Sequence, residues 1–203
     1  MADTGAPWNL PYPLPTDLVR DGADAIEDLA EATADGLSAA GGLVAVKHAI
    51  KTNTFSSGSL APGANEAIPG LSLAHAVETT GNVLIITCVL GHVSTVPDNG
   101  FIGLAVFDGT TAIGVGDADG SRTRVSTGGL PRSTFAGSGT VLGPLVFTFA
   151  YEPPDDTERT YTARVVNAYA DPQTFRVNRT LNDTNAANFI RSASSLVIQE
   201  VKV

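Results

Sequence analysis

The stretches LSLAHAVE (Leu71–Glu78) and RTYTARVV (Arg159–Val166) alternate with a period of two, and that alternation decides the fold. In the first, Leu71, Leu73, His75 and Val77 share one face; in the second, Tyr161, Ala163 and Val165 oppose Thr160, Thr162 and Arg164. Successive side chains of an extended backbone point to opposite sides, so each stretch reads as a strand with one face on a core. Working outward, runs rich in Val, Ile, Thr and Phe recur at Leu43 to Lys51, Asn82 to Leu90, Gly103 to Asp108, Thr111 to Gly116, Thr140 to Glu152, Gln173 to Leu181 and Ala193 to Val203. Turn signals such as DGT at Asp108 and EPPDDTE at Glu152 separate several of them. Strands at this spacing, without a fixed-period repeat, predict a mainly β fold of the sandwich or jelly-roll kind over residues 43–203.

Composition bounds the partners. Net charge is −9 with no Lys/Arg cluster, which excludes the electrostatic footprint of a nucleic-acid binder. No apolar run approaches the roughly 20 residues that span a bilayer, so no membrane insertion is expected. The start of the chain has Asp3 and Pro7 to Pro15 where a secretory signal would have a basic region and an apolar core, so synthesis and assembly in a cytoplasm are expected. Charged residues make up 16% of the chain, against about a quarter in an average domain. Surface so poor in charge predicts oligomer interfaces.

Residues 1–20 read as an extended arm, because Pro7, Pro11, Pro13 and Pro15 exclude both helix and central strand. Trp8, Leu10, Tyr12 and Leu14 fall on alternate positions, so an extended arm directs all four to one side. The arm cannot bury that stripe by itself, which marks the four as docking residues. Residues 21–42 read as a short helix: Asp21 caps it, Asp24, Glu27 and Asp28 suit its positive end, and Gly41-Gly42 stops it. Ile26, Leu29, Thr33 and Leu37 make a narrow apolar stripe, and the helix is too short for a stable coiled coil alone. It packs either around a symmetry axis as the oligomerisation stripe or on the flank of its own domain.

Sites of chemistry are sought with little return. His48, His75 and His92 lie in or beside separate expected strands without metal-site spacing. Cys88, the only cysteine, reads as a buried core residue within VLIITCVLG. GDADGS (Gly116–Ser121) lacks the later ligands of a calcium loop, Gly137-Ser138-Gly139 lacks a nucleophile elbow, and GVGDADG lacks the helix and Lys-Ser/Thr of a phosphate loop. Asn178-Arg179-Thr180 and Asn182-Asp183-Thr184 match a glycosylation pattern by chance. No catalytic residue, metal ligand or cofactor is expected. The candidate recognition residues are Asp98, Asn99, Phe101, Asp117 and Asp119, on loops expected to form a distal face together with Asp155 to Glu158.

The opening PWNLPYPLPTDLVRDGADAIEDLAEA (Pro7–Ala32) resembles the N-terminal segments of tail-fibre and other appendage proteins of tailed bacteriophages, with the match at Trp8 to Pro13 and Asp21 to Ala30. The resemblance implies a virion-attachment arm, anchored through Trp8, Leu10, Tyr12 and Leu14, that runs into a trimeric helix. It implies further that residues 43–203 form a trimeric jelly roll of the tumour-necrosis-factor-like kind, whose last strand SSLVIQEVKV (Ser194–Val203) resembles. The expected protein is then a non-enzymatic structural component of the virion, a short tail fibre or minor tail (baseplate) appendage assembled in the host bacterial cytoplasm. Its expected partners are itself as a homotrimer, other virion proteins through the arm, and a host cell-surface glycan on the loops for host attachment. The alternatives are a capsid decoration or head-fibre (spike) protein and, in another class, a carbohydrate-binding lectin or cupin-like enzyme.

Overall fold

The computed structural model describes residues 2–3, 11–12, 22–39, 42–96, 101–129, 144–180 and 191–203. The chain divides into two compact units, Met1–Gly42 and Leu43–Val203. In the first, β1 (Ala2–Asp3) pairs antiparallel with β2 (Pro11–Tyr12), and α1 spans Gly22–Ala39. It is the one helix among the described residues, and it is not apolar enough to cross a membrane.

The second unit is built of strands β3 (Leu43–Lys51), β4 (Phe55–Ser56), β5 (Asn65–His75), β6 (Val83–Leu90), β7 (Val93–Val96), β8 (Ile102–Asp108) and β9 (Thr111–Ile113). It continues with β10 (Thr127–Gly129), β11 (Leu145–Tyr151), β12 (Arg159–Asn167), β13 (Thr174–Val177) and β14 (Ser194–Val201). Sheet I runs β11-β6-β14-β3; sheet II runs β10-β8-β12-β5, with β9 also on β8; sheet III runs β4-β13-β7. Every pairing is antiparallel. The protein is therefore mainly β, with several antiparallel sheets in an arrangement consistent with a β-sandwich.

The alternation that predicts strands also builds the core. Leu84, Ile86, Cys88 and Leu90 of β6 and Leu196 and Ile198 of β14 are buried on one side. Leu71 of β5, Leu104 and Val106 of β8, and Tyr161, Ala163 and Val165 of β12 meet them from the other. Each fully buried side chain of this size contributes about 1.5–3 kcal/mol.

Strand ends shift where backbone chemistry intervenes. β5 starts at Asn65, ahead of the expected Leu71, because it is an edge strand that tolerates Pro69, and Gly70 takes φ 86° beside a register irregularity against β12. β9 stops at Ile113 because Gly114 turns the chain at φ 59°, and β13 stops at Val177 because Asn178 adopts φ 62°. The short strands β4, β7 and β10 carry too few residues for an alternation to register in sequence.

Candidate self-association surface

Sheet I presents two faces. The inner one packs on the core; the outer one is read from the register, because residues paired across antiparallel strands share a face. Three rows cross it: Ile50, Ser195, Val89 and Val146; His48, Val197, Thr87 and Thr148; Val46, Gln199, Ile85 and Ala150. A bulge between Glu200 and Val201 lets Leu43 join Val201 and Val83 as a fourth, shorter row. None of these side chains is an Asp, Glu, Lys or Arg. Leu43, Val46, Ile50 and Val146 are 60, 51, 62 and 51% exposed, so the unit leaves large apolar groups in water on one sheet face. The face is uncharged and mixes these apolar groups with Ser195, His48, Thr87, Thr148 and Gln199; exposed apolar groups gathered on one face are a feature of interaction surfaces.

Sheet II handles its outer face differently. A hydroxyl pair lies on both outer faces, Ser72 with Thr162 at 2.9 Å here and Thr87 with Thr148 at 3.0 Å on sheet I; what sheet II adds is a charge, Arg164, which lies 4.5 Å over the Phe107 ring while donating to Asn65 and to the Gly109 carbonyl. Ala105, Phe107 and Val166 form a small apolar cluster that Ala112, Val115 and Val125, from β9 and the following loop, cover.

Three polar clusters sit inside or beside the core. Glu200 of β14 is almost fully buried; its Oε1 accepts from the Glu78 N–H (2.7 Å) and Asn82 Nδ2 (2.6 Å), and its Oε2 accepts from His75 Nε2 (2.9 Å). Burial alone would raise its pKa, but the hydrogen bonds from Asn82, Glu78 and His75 outweigh that and lower it. The pair ties β14 of sheet I to β5 of sheet II. The carboxylate is thus occupied as a clamp between sheets. Asn82 also borders a surface cleft of about 310 Å³ lined by Glu78, Thr79, Thr80, Gly81, Lys202 and Val203.

At the end of β8, Asp108 accepts from Tyr151 Oη (2.8 Å) and Arg159 (3.0 Å), and Arg159 reaches both oxygens of Asp155 at 3.0 Å. Burial first, then Asp108, pushes Tyr151 up to about 12. In the third cluster, Asn178 donates to the Lys51 and Asn53 carbonyls (2.8 and 3.1 Å) and accepts from Ser194 (2.6 Å), so this member of the glycosylation-like pattern is buried and committed. Burial lowers the pKa of Lys51 and of His92 and raises that of Cys88 to about 12, which leaves Cys88 an inert core thiol.

Of the residues expected to anchor the arm, Trp8, Leu10 and Leu14 lie outside the described residues, and Tyr12 belongs to β2. On α1, Ile26 is exposed, Leu29 is half-buried, Thr33 is exposed and donates to the Leu29 carbonyl, and Leu37 lies in the last turns. Of the expected recognition loops, the structure places Phe101 and Asp155 at opposite ends of β8. Asp98 and Asn99 fall outside the described residues; Phe101 stands at the start of β8, stacked on Tyr169 at 5.8 Å, whereas Asp155 is tied to the other end of β8 through Arg159 and Asp108. Seven residues of strand, about 20 Å, separate them. Asp117 and Asp119 are exposed on the loop after β9, where Asp119 pairs with Arg122.

The outer face of sheet I lies apart from the residues expected from sequence on the arm, the helix and the loops. The available signal was the apolar character of both faces of VLIITCVL in β6 and, with one Thr, of LVFTFAY in β11, a pattern of strands covered on both sides. Among the described residues no group of three or more His, Cys, Asp and Glu could hold a metal ion. No model of a known protein family matches the chain, and no curated protein matches it.

Proposed function

We propose that this chain is a non-enzymatic bacteriophage structural protein: a homotrimer with a jelly-roll domain, joined to the virion through its N-terminal arm as a short tail-fibre or baseplate appendage. The observation that carries the reading is the uncharged apolar outer face of sheet I. Copies of a chain with net charge −9 repel one another, and a neutral apolar face is where they can approach and bury surface. The strand order supports the jelly roll. Counting the eight strands of sheets I and II in chain order without β9, sheet I reads 1-8-3-6 and sheet II 2-7-4-5, the order of two interleaved Greek keys. The exposed Ile26 of α1 supports a role for Ile26, Leu29, Thr33 and Leu37 in helix association, and the resemblance of Trp8 to Pro13 and Asp21 to Ala30 to appendage proteins supports the virion assignment.

Deletion of residues 1–20 tests the attachment. The expected result is loss of the protein from purified particles while the β unit stays folded by circular dichroism. Unchanged incorporation overturns the anchoring role. Antibody labelling that marks the capsid and spares the tail overturns the appendage assignment in favour of a decoration or head-fibre protein.

A further inference from the structure

From the geometry of sheet I we infer how the copies meet: three sheets I stand edge to edge around a threefold axis, with β11 of one copy running antiparallel beside β3 of the next. The inference rests on the trimeric reading above and names its contact. Three features carry it.

The first is direction. β3, β14, β6 and β11 are each antiparallel to their neighbour, so β3 and β6 run one way and β14 and β11 the other. Rotation about an axis along the strands preserves these directions. The descending β11 of one copy therefore meets the ascending β3 of the next, and the antiparallel order continues around the ring. Such a contact is heterologous and closes after three copies.

The second is width. Four strands spaced about 4.8 Å apart make a side about 19 Å wide, and the centre of a triangular prism with that side lies about 5.5 Å from each wall. Packed sheets stand about 10 Å apart, so each contributes side chains reaching about 5 Å. The uncharged rows of three copies, reaching about 5 Å each, therefore match the distance from wall to centre of the prism. Near the axis stand the outward residues of the two inner strands, Ser195, Val197 and Gln199 of β14 and Val89, Thr87 and Ile85 of β6, all uncharged, while the most exposed apolar groups, Ile50, Val46 and Val146, stand toward the corners.

The third is the edge itself. β11 is LVFTFAY in unbroken register with β6, with no charge, proline or bulge. Natural proteins protect free sheet edges with such features. On the opposite flank Pro69 sits in β5 of sheet II, whereas the two lysines of β3 are turned inward, Lys47 onto the Ala74 carbonyl and the buried Lys51 onto Asn53, so neither guards the β3 edge. Among the described residues no strand pairs with the outer edge of β11; a face-to-face dimer would bury the uncharged face and leave that edge as it is, whereas the ring covers both.

Cross-linking the full chain tests this. His48 and Thr148 end the same row on β3 and β11, and the native Cys88 is buried, so Thr148→Cys and His48→Cys introduce the only reactive thiols. With a short bismaleimide the double variant should yield covalent dimers and trimers, and neither single variant should. Val46→Cys with Ala150→Cys, one row along, serves as the second pair. Cross-linking by Thr148→Cys alone would reveal a twofold β11 contact and overturn the arrangement. A trimeric mass with neither double variant cross-linked would overturn the contact and leave the trimer standing. A monomeric mass would overturn both.

Discussion

The outward faces of sheets I and II are made by the same kind of strand and differ in chemistry. β12 turns Thr160, Thr162 and Arg164 outward, and a loop covers the apolar residues beside them; β6 turns Ile85, Thr87 and Val89 outward, and the residues paired with them on β14 and β11 are all uncharged. Both faces complete an equally tight core, so folding within one chain does not require the difference. Sheet II carries a charge and a loop on its outer face, whereas sheet I leaves large apolar groups exposed, the surface that the proposed self-association would cover.

The sharpest way to break the comparison is to put a charge on each face. Val197→Asp would bring three carboxylates together near the axis, and juxtaposed like charges cost several kcal/mol. The expected outcome is dissociation, with the trimer constant weakened at least ~100-fold on a scale where about 1.4 kcal/mol is tenfold. Thr162→Asp should leave the mass unchanged and stability within ~0.5 kcal/mol. Equal effects of the two substitutions would erase the distinction between the faces.

That distinction was only half legible in the sequence. LSLAHAVE and RTYTARVV announce their strands because polar residues mark the solvent side. The strand at Leu43 to Lys51 was read to the residue, since turn-forming residues bound it on both sides. VLIITCVL shows no such alternation, and a run apolar on both faces does not say in sequence what covers its second side. Only the register, which lines Val89 up with Val146 and Ser195 with Ile50, turns scattered apolar residues into a surface. Glu200 escaped for the same reason: its partners His75, Glu78 and Asn82 lie more than a hundred residues earlier.

The next effect concerns what joins the two sheets. Glu200→Ala strands His75 and the Asn82 amide in the interior, and breaking a buried pair costs ~3–5 kcal/mol, read by urea denaturation. A loss below ~1 kcal/mol would show that the clamp is incidental.

Acid acts on the same group. The folded pKa of Glu200 is depressed below the ordinary value of about 4.3, so its contribution is fully present above that pH and is lost as pH falls through the folded value. Wild type should therefore lose more stability between about pH 5 and pH 3 than Glu200→Gln does. Identical acid profiles would remove Glu200 from the account. A small effect is expected for Arg164→Ala on sheet II, which removes the stack on Phe107 at a cost of ~0.5–1 kcal/mol and leaves the mass unchanged.

The central claim is that the uncharged face of sheet I joins copies of this chain, and light scattering on the intact protein at micromolar concentration tests it most directly. The account predicts a mass of about 62 kDa, three times the 20.8 kDa of one chain, falling to one chain's mass in Val197→Asp with the β signature in circular dichroism intact. A wild-type mass of 20.8 kDa throughout that range, from a fully folded protein, would contradict it.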